Sequence, residues 1–172
     1  MLLAPKMVLE KTELIGSLQN EVRLLQHLCG KATPEMLDYR PTAKQRSLIE
    51  LVRYMTVLMP MIVPSIKGGS FLVDDWTAGE ARAASMDFEA LLKTLESQAA
   101  LYAEMVGAIS DDELRGEIEM FGMKKMTRGT MLVNVVLCGH SAYRVQLFCY
   151  LKACGREELN TMNLWMGIDG SM

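Results

Sequence analysis

The chain has 172 residues, half of them hydrophobic, with 15 Met, few aromatics and a formal net charge of −3. That length supports one domain with a core of its own, spanning residues 1–172, and the scattered Lys and Arg leave no basic stripe for a nucleic acid. Cys29, Cys138, Cys149 and Cys154 show no Cys-x-x-Cys spacing, so the expectation is buried free thiols in a reducing cytoplasm rather than a disulfide framework.

At the N-terminus, the apolar run of "MLLAPKMVLEK" is broken by Pro5 and Lys6 and is too short for a signal peptide. No stretch reaches the roughly 18 uninterrupted apolar residues of a membrane span. The expectation is a soluble protein without a membrane partner.

Leu, Met, Ala, Glu and Lys dominate, and Val, Ile and Thr form no alternating runs, which predicts an all-α protein. A first helix is predicted from about Val8 to Leu28, with Leu14, Leu18, Val22, Leu25 and Leu28 as its apolar stripe and Glu13, Gln19, Glu21 and Arg23 around it. Gly30 is its stop. "KATPEMLDYRPTAKQ" has two prolines and no period, so it reads as a loop. A second helix begins near Ala43 and turns Leu48, Leu51, Val52, Met55, Leu58 and Met59 inward. Pro60 should loosen it and Pro64 should end it.

"PSIKGGSFLVDDWTAG" then reads as a long irregular connection. A loop of that length exceeds what a tight hairpin needs and implies a crossover between two parallel helices. The third helix is predicted from Gly79 or Glu80 to about Gly107, with Met86, Leu91, Leu92, Leu95, Leu101, Tyr102 and Met105 inward. Ser110 looks like the N-cap of a short piece with acids in its first turn. "TRGTML" opens the fourth long helix, which ends at Gly155. In the tail, Leu164, Trp165 and Met166 should tuck against the bundle.

The fourth helix poses the functional question, because "VLCGHSAYRVQLFCYLK" carries polar groups through a greasy segment. His140 and Arg144 are four apart and share a face. Tyr143 and Gln146 lie within a turn of them, and Tyr54 falls near the inner face of the second helix. In a bundle, such inward polar groups build core sites. Each also has a plainer reading: His140 as a hydrogen-bonded core residue, and Tyr54 and Tyr143 as amphipathic core residues. Arg144 cannot be buried alone, so it needs a carboxylate, a carbonyl or a bound anion, with Glu50 the first candidate.

Two segments, "YRPTAKQRSLIELVRY" and "HSAYRVQLFCYLKACG", resemble the DinB/YfiT-like superfamily. There an aromatic-Arg-Pro segment, an Arg-Ser pair and a metal-binding His recur, and the last helix carries a His-x-x-x-His pair followed by Arg, Gly and Gln. The likeness spans about Val8 to Gly155. It implies an up-down-down-up four-helix bundle, often a homodimer, in which three His hold nickel or zinc; some relatives are thiol-dependent transferases or hydrolases.

The departures set the functional expectation. Counting from Ser47, the second-helix His position falls on Tyr54. The fourth-helix pair maps to His140 and Arg144 if the Ala-Tyr pair is the anchor, or to Gly139 and Tyr143 if Arg-x-Gln is. A guanidinium does not replace imidazole as a ligand, and a catalytic zinc takes three protein ligands. The expectation is therefore a bundle without the metal cofactor, binding a small molecule or anion through Tyr54, His140, Tyr143 and Arg144. A metal-dependent hydrolase or thiol transferase and a dimeric stress-related scaffold are the alternatives, and a homodimer is expected in each case.

Overall fold

The computed structural model describes residues 9–170, except for the side chain of Met59. Helix α1 is Lys11–Cys29, opened by a reciprocal cap between Glu10 and Glu13 and closed at Gly30. Its five predicted apolar positions are all buried. The predicted start at Val8 and the inward placement of Met59 lie outside the described residues.

Helix α2, Leu48–Gly68, starts later and ends later than its sequence suggests. Its start is fixed by Ser47 and Glu50, each capping the other's backbone N–H, a Ser-x-x-Glu box. Pro60 and Pro64 lie inside the helix. Proline removes the donor to the carbonyl four residues back, so Pro60 leaves the Thr56 carbonyl without its helical partner. Gln98 supplies one: its side-chain amide donates to the carbonyls of Met55 and Thr56 at 3.1 and 3.3 Å. Beyond the prolines, Ile62, Val63 and Ile66 are buried, and that packing carries the helix on to Gly69, whose φ of 78° gives a left-handed stop.

The connection read as irregular is largely helical, its first part the end of α2 and its second the start of helix α3, Val73–Ala84. Its buried positions are only Gly79 and Ala83, too small to make a visible apolar stripe. Gly79 is required there, because a Cβ would stand 2.8 Å from Val57 of α2. The predicted third helix is therefore interrupted: Asp87 caps a new start, and helix α4 runs Phe88–Gly107.

Ser110 caps helix α5, Asp111–Arg115, as predicted. A two-stranded antiparallel ribbon follows, pairing β1 Glu117–Ile118 with β2 Met126–Thr127, where a weak helical piece was expected. The last helix is continuous from helix α6, Arg128–Met131, through a π-helical turn at Leu132–Leu137, into helix α7, Cys138–Ala153.

Two clusters of buried side chains give the direction of each helix. One gathers Leu14 and Leu18 from the start of α1, Ile62 and Ile66 from the end of α2, Tyr102 and Val106 from the end of α4, and Met131 and Val136 from the last helix's start. The other gathers Leu25 and Leu28, Leu48 and Leu51, Leu91 and Leu95, and Leu147 and Leu151, the opposite ends of the same four helices. The order is thus up, down, down, up, with α3 carrying the chain back between the two parallel helices. The chain is an all-α four-helix bundle. Helix α2 alone among the described residues is long and apolar enough to cross a membrane, and its Leu48, Leu51, Val52, Met55, Ile62, Val63 and Ile66 are spent on these clusters.

Two expectations fail at the surface. Cys138 and Cys149 are exposed rather than buried, because, about three turns apart, they share the solvent-facing side of α7. Trp165 and Met166 are 63% and 53% exposed, and it is Leu164 that packs against the core.

Candidate functional site

Arg144 is buried and pairs with Glu21, not Glu50. Its Nε donates to Glu21 Oε2 at 2.9 Å and its Nη2 to Oε1 at 3.2 Å. Ser141 Oγ donates to the same Oε1 at 3.1 Å. The third guanidinium direction goes to the Leu164 carbonyl, which belongs to a π-helical turn at Met162–Met166. Two parallel bonds to a carboxylate are the strongest form of this pairing. Glu50 is occupied elsewhere, accepting from Ser47 N–H at 2.7 Å and pairing with Arg40 at 3.2 Å. The spacing of Leu14, Leu18, Glu21, Leu25 and Leu28, alternately four and three, puts Glu21 on the apolar seam of α1, a signal the sequence reading passed over.

His140 has a different partner again. Its Nε2 lies 2.5 Å from the Tyr102 hydroxyl of α4, both residues are fully buried, and Nδ1 has no hydrogen-bond partner. Burial lowers its pKa from 6.5 to about 4 and raises that of Tyr102 well above its ordinary value. The imidazole is neutral at physiological pH, and its environment disfavours any charge.

Tyr54 and Tyr143 face each other across α2 and α7. The Tyr143 hydroxyl donates to that of Tyr54 at 3.5 Å, with the rings edge-on at 5.3 Å. Trp76 of α3 meets the Tyr54 ring edge-on at 5.8 Å, and the Arg46 guanidinium sits 3.8 Å above it, a cation–π contact. Burial, followed by the bond from Tyr143, pushes the Tyr54 phenol up to about 12.

Between α2 and α3, Tyr54 also lines a recess of about 270 Å³ with Arg46, Glu50, Arg53, Val57 and Glu80. Arg53 donates from Nη2 to the Met86 carbonyl at 3.2 Å, while its Nε is buried without a partner. A larger recess of about 360 Å³ at the other end of the bundle is lined by Leu9, Leu14, Leu114 and Val133. Its cations Lys11 and Arg115 are engaged by Asp111 and Asp112, so it has no unengaged guanidinium to orient a polar ligand. The smaller recess is the better candidate despite its size.

The four predicted site residues thus fall into three arrangements. Tyr54 and Tyr143 come together, whereas His140 and Arg144 each spend their polar groups on other helices. Arg46 and Arg53 were missed, because nothing in a linear pattern shows that α3 folds back over them.

Tyr143, not Arg144, stands opposite Tyr54. The chain has only two His, His27 and His140, and among the described residues no three His, Cys, Asp or Glu side chains converge. The residues present do not fit a His-held nickel or zinc.

No protein-family model matches the chain, and no curated protein does. Among solved structures it is similar to a DinB-like protein, YjoA from Bacillus subtilis, with a TM-score of 0.64 and 21% identity, covering 86% of this chain and 95% of that one. The chain has the DinB-like fold.

Proposed function

We propose that this DinB-like fold works without a His-held metal, as a binder of a small molecule or anion seated against Tyr54. The observation that carries the reading is the Tyr54–Tyr143 contact of 3.5 Å: two phenols with hydroxyl-to-hydroxyl contact face each other, at positions that one of the two alignments to the DinB/YfiT-like pattern assigns to imidazole. Beside them opens a recess lined by Arg46 and Arg53. His140 and Arg144 support this site from behind, tying α7 to α4 and α1.

A metal-dependent hydrolase or thiol transferase would need three donors that these positions do not offer. The scaffold alternative draws on the exposed Val145, Trp165, Met166 and Ile168, apolar surface that a second copy could cover. We accordingly read the protein as a cytoplasmic homodimer, with neither nucleic acid nor membrane as its partner. Two measurements on untagged protein test the main reading. Nickel and zinc should each stand well below one equivalent, and a panel of metabolite-sized compounds should include some that raise the Tm of the wild type but not of Tyr54→Ala. One equivalent of metal, or no Tyr54-dependent stabiliser, would overturn it.

A further inference from the structure

The recess between α2 and α3 has a charge arrangement that names the chemistry of its ligand, granting that it is a ligand site. Arg46 and Arg53 both line it, and among the described residues neither takes part in an ion pair. Glu50 does not compensate them, because Arg40 and the α2 cap already engage its carboxylate. A guanidinium is charged at every accessible pH. The recess therefore presents two cations with no carboxylate partner among the described residues.

Across the recess stands Glu80 of α3, also outside any ion pair among the described residues and close enough to Tyr54 to raise its phenol pKa. A carboxylate only accepts, so this end calls for a donor. Between the two ends the walls are Val57, Ala83 and Ala84, which suit a short aliphatic body. The volume of about 270 Å³ lies just below the range for drug-sized ligands.

We propose that the recess binds a small molecule carrying an oxyanion, carboxylate or phosphate, at one end and a hydroxyl or ammonium donor at the other. The oxyanion sits on Arg53 and Arg46, the donor on Glu80, and the carbon skeleton against Val57 and the face of α3. Two oppositely demanding groups, on α2 and on α3, would disfavour both plain anions and plain alcohols, since each would leave one of them unmet.

The test uses full-length protein and four probes at matched ionic strength: lactate, phosphoethanolamine, propionate and glycerol, with sodium chloride as the reference. Lactate or phosphoethanolamine should raise the Tm above the chloride reference, and whichever acts distinguishes carboxylate from phosphate. Propionate and glycerol should do less. Arg53→Met should weaken the effective probe by at least about tenfold, as expected for loss of one charged hydrogen bond. Arg46→Gln provides a second variant at an exposed position should Arg53→Met fold poorly. Glu80→Gln should narrow the gap between lactate and propionate. Stabilisation by glycerol equal to that by lactate, or an anion effect that survives both arginine changes, would overturn the proposal. So would wild-type protein that binds other compounds through Tyr54 but neither lactate nor phosphoethanolamine, and that outcome leaves the broader ligand reading standing. Failure of every Tyr54-dependent stabiliser would remove both.

Discussion

Arg144 and Glu21, 123 residues apart in sequence, meet through two bonds of 2.9 and 3.2 Å inside the bundle. The pair joins the last helix to the first, and both side chains are at least nine-tenths out of solvent. A buried pair contributes little over an apolar substitute, but removing one partner strands the other charge. Arg144→Met should therefore destabilise the protein by about 3–5 kcal/mol. The same change combined with Glu21→Leu should recover most of that loss. Urea melts of the three proteins check this, and an Arg144→Met protein as stable as wild type would contradict it.

Burial of His140 makes stability depend on pH in a defined direction. Unfolded, the imidazole takes up its proton near 6.5; folded, only near 4. Below pH 6.5 the unfolded state binds more protons, so its contribution is complete above 6.5 and declines as the pH falls towards 4. The loss is about 3 kcal/mol over that window. His140→Gln should flatten this part of the stability profile, and denaturant melts at pH 7 and 4.5 will show whether it does.

Gln98 caps carbonyls that Pro60 helps to release, so the two residues should be coupled. Gln98→Leu should cost about 1–3 kcal/mol, as for buried acceptors left unmet. With Pro60→Ala, an N–H returns at position 60 to meet the Thr56 carbonyl, and the cost of Gln98→Leu should shrink. A double-mutant cycle by thermal unfolding measures the difference. Strict additivity would mean that Gln98 serves only to fill space.

The register of Tyr54 against Tyr143 predicts where a metal can be built. Tyr54→His, Gly139→His and Tyr143→His together should give a protein that binds nickel or zinc, since three imidazoles then meet across α2 and α7. Tyr54→His with Arg144→His, beside the native His140, should not, because positions 140 and 144 point to Tyr102 and Glu21. Equilibrium dialysis of both variants against nickel separates the two registers.

Thiol chemistry offers a quick check of the surface. Cys138 and Cys149 are exposed and Cys29 is fully buried, its pKa raised by burial to about 12. A maleimide should label the first two rapidly in native protein and reach Cys29 only on unfolding. Mass spectrometry of labelled peptides reads the order directly.

The sequence carried the bundle well and the site poorly, for physical reasons. Leu14 through Leu28 bury one continuous stripe, and such a period can be read without knowing the partner. Helix α3 buries only Gly79 and Ala83, so its packing signal is the absence of bulk, and a linear reading took it for loop. That error hid Arg46 and Arg53, whose roles depend on α3 lying over them. His140 and Arg144 were read as inward, and both are buried; their partners come from α4 and α1, at separations no local pattern records.

The Leu164 carbonyl that closes the Arg144 cluster lies twenty residues after the arginine. The Arg144 guanidinium is thus oriented by Glu21 on one side and by the turn at Met162–Met166 on the other. A change that loosens this turn would reach Arg144 without touching Glu21, and a change at Glu21 would leave the turn without a fixed donor.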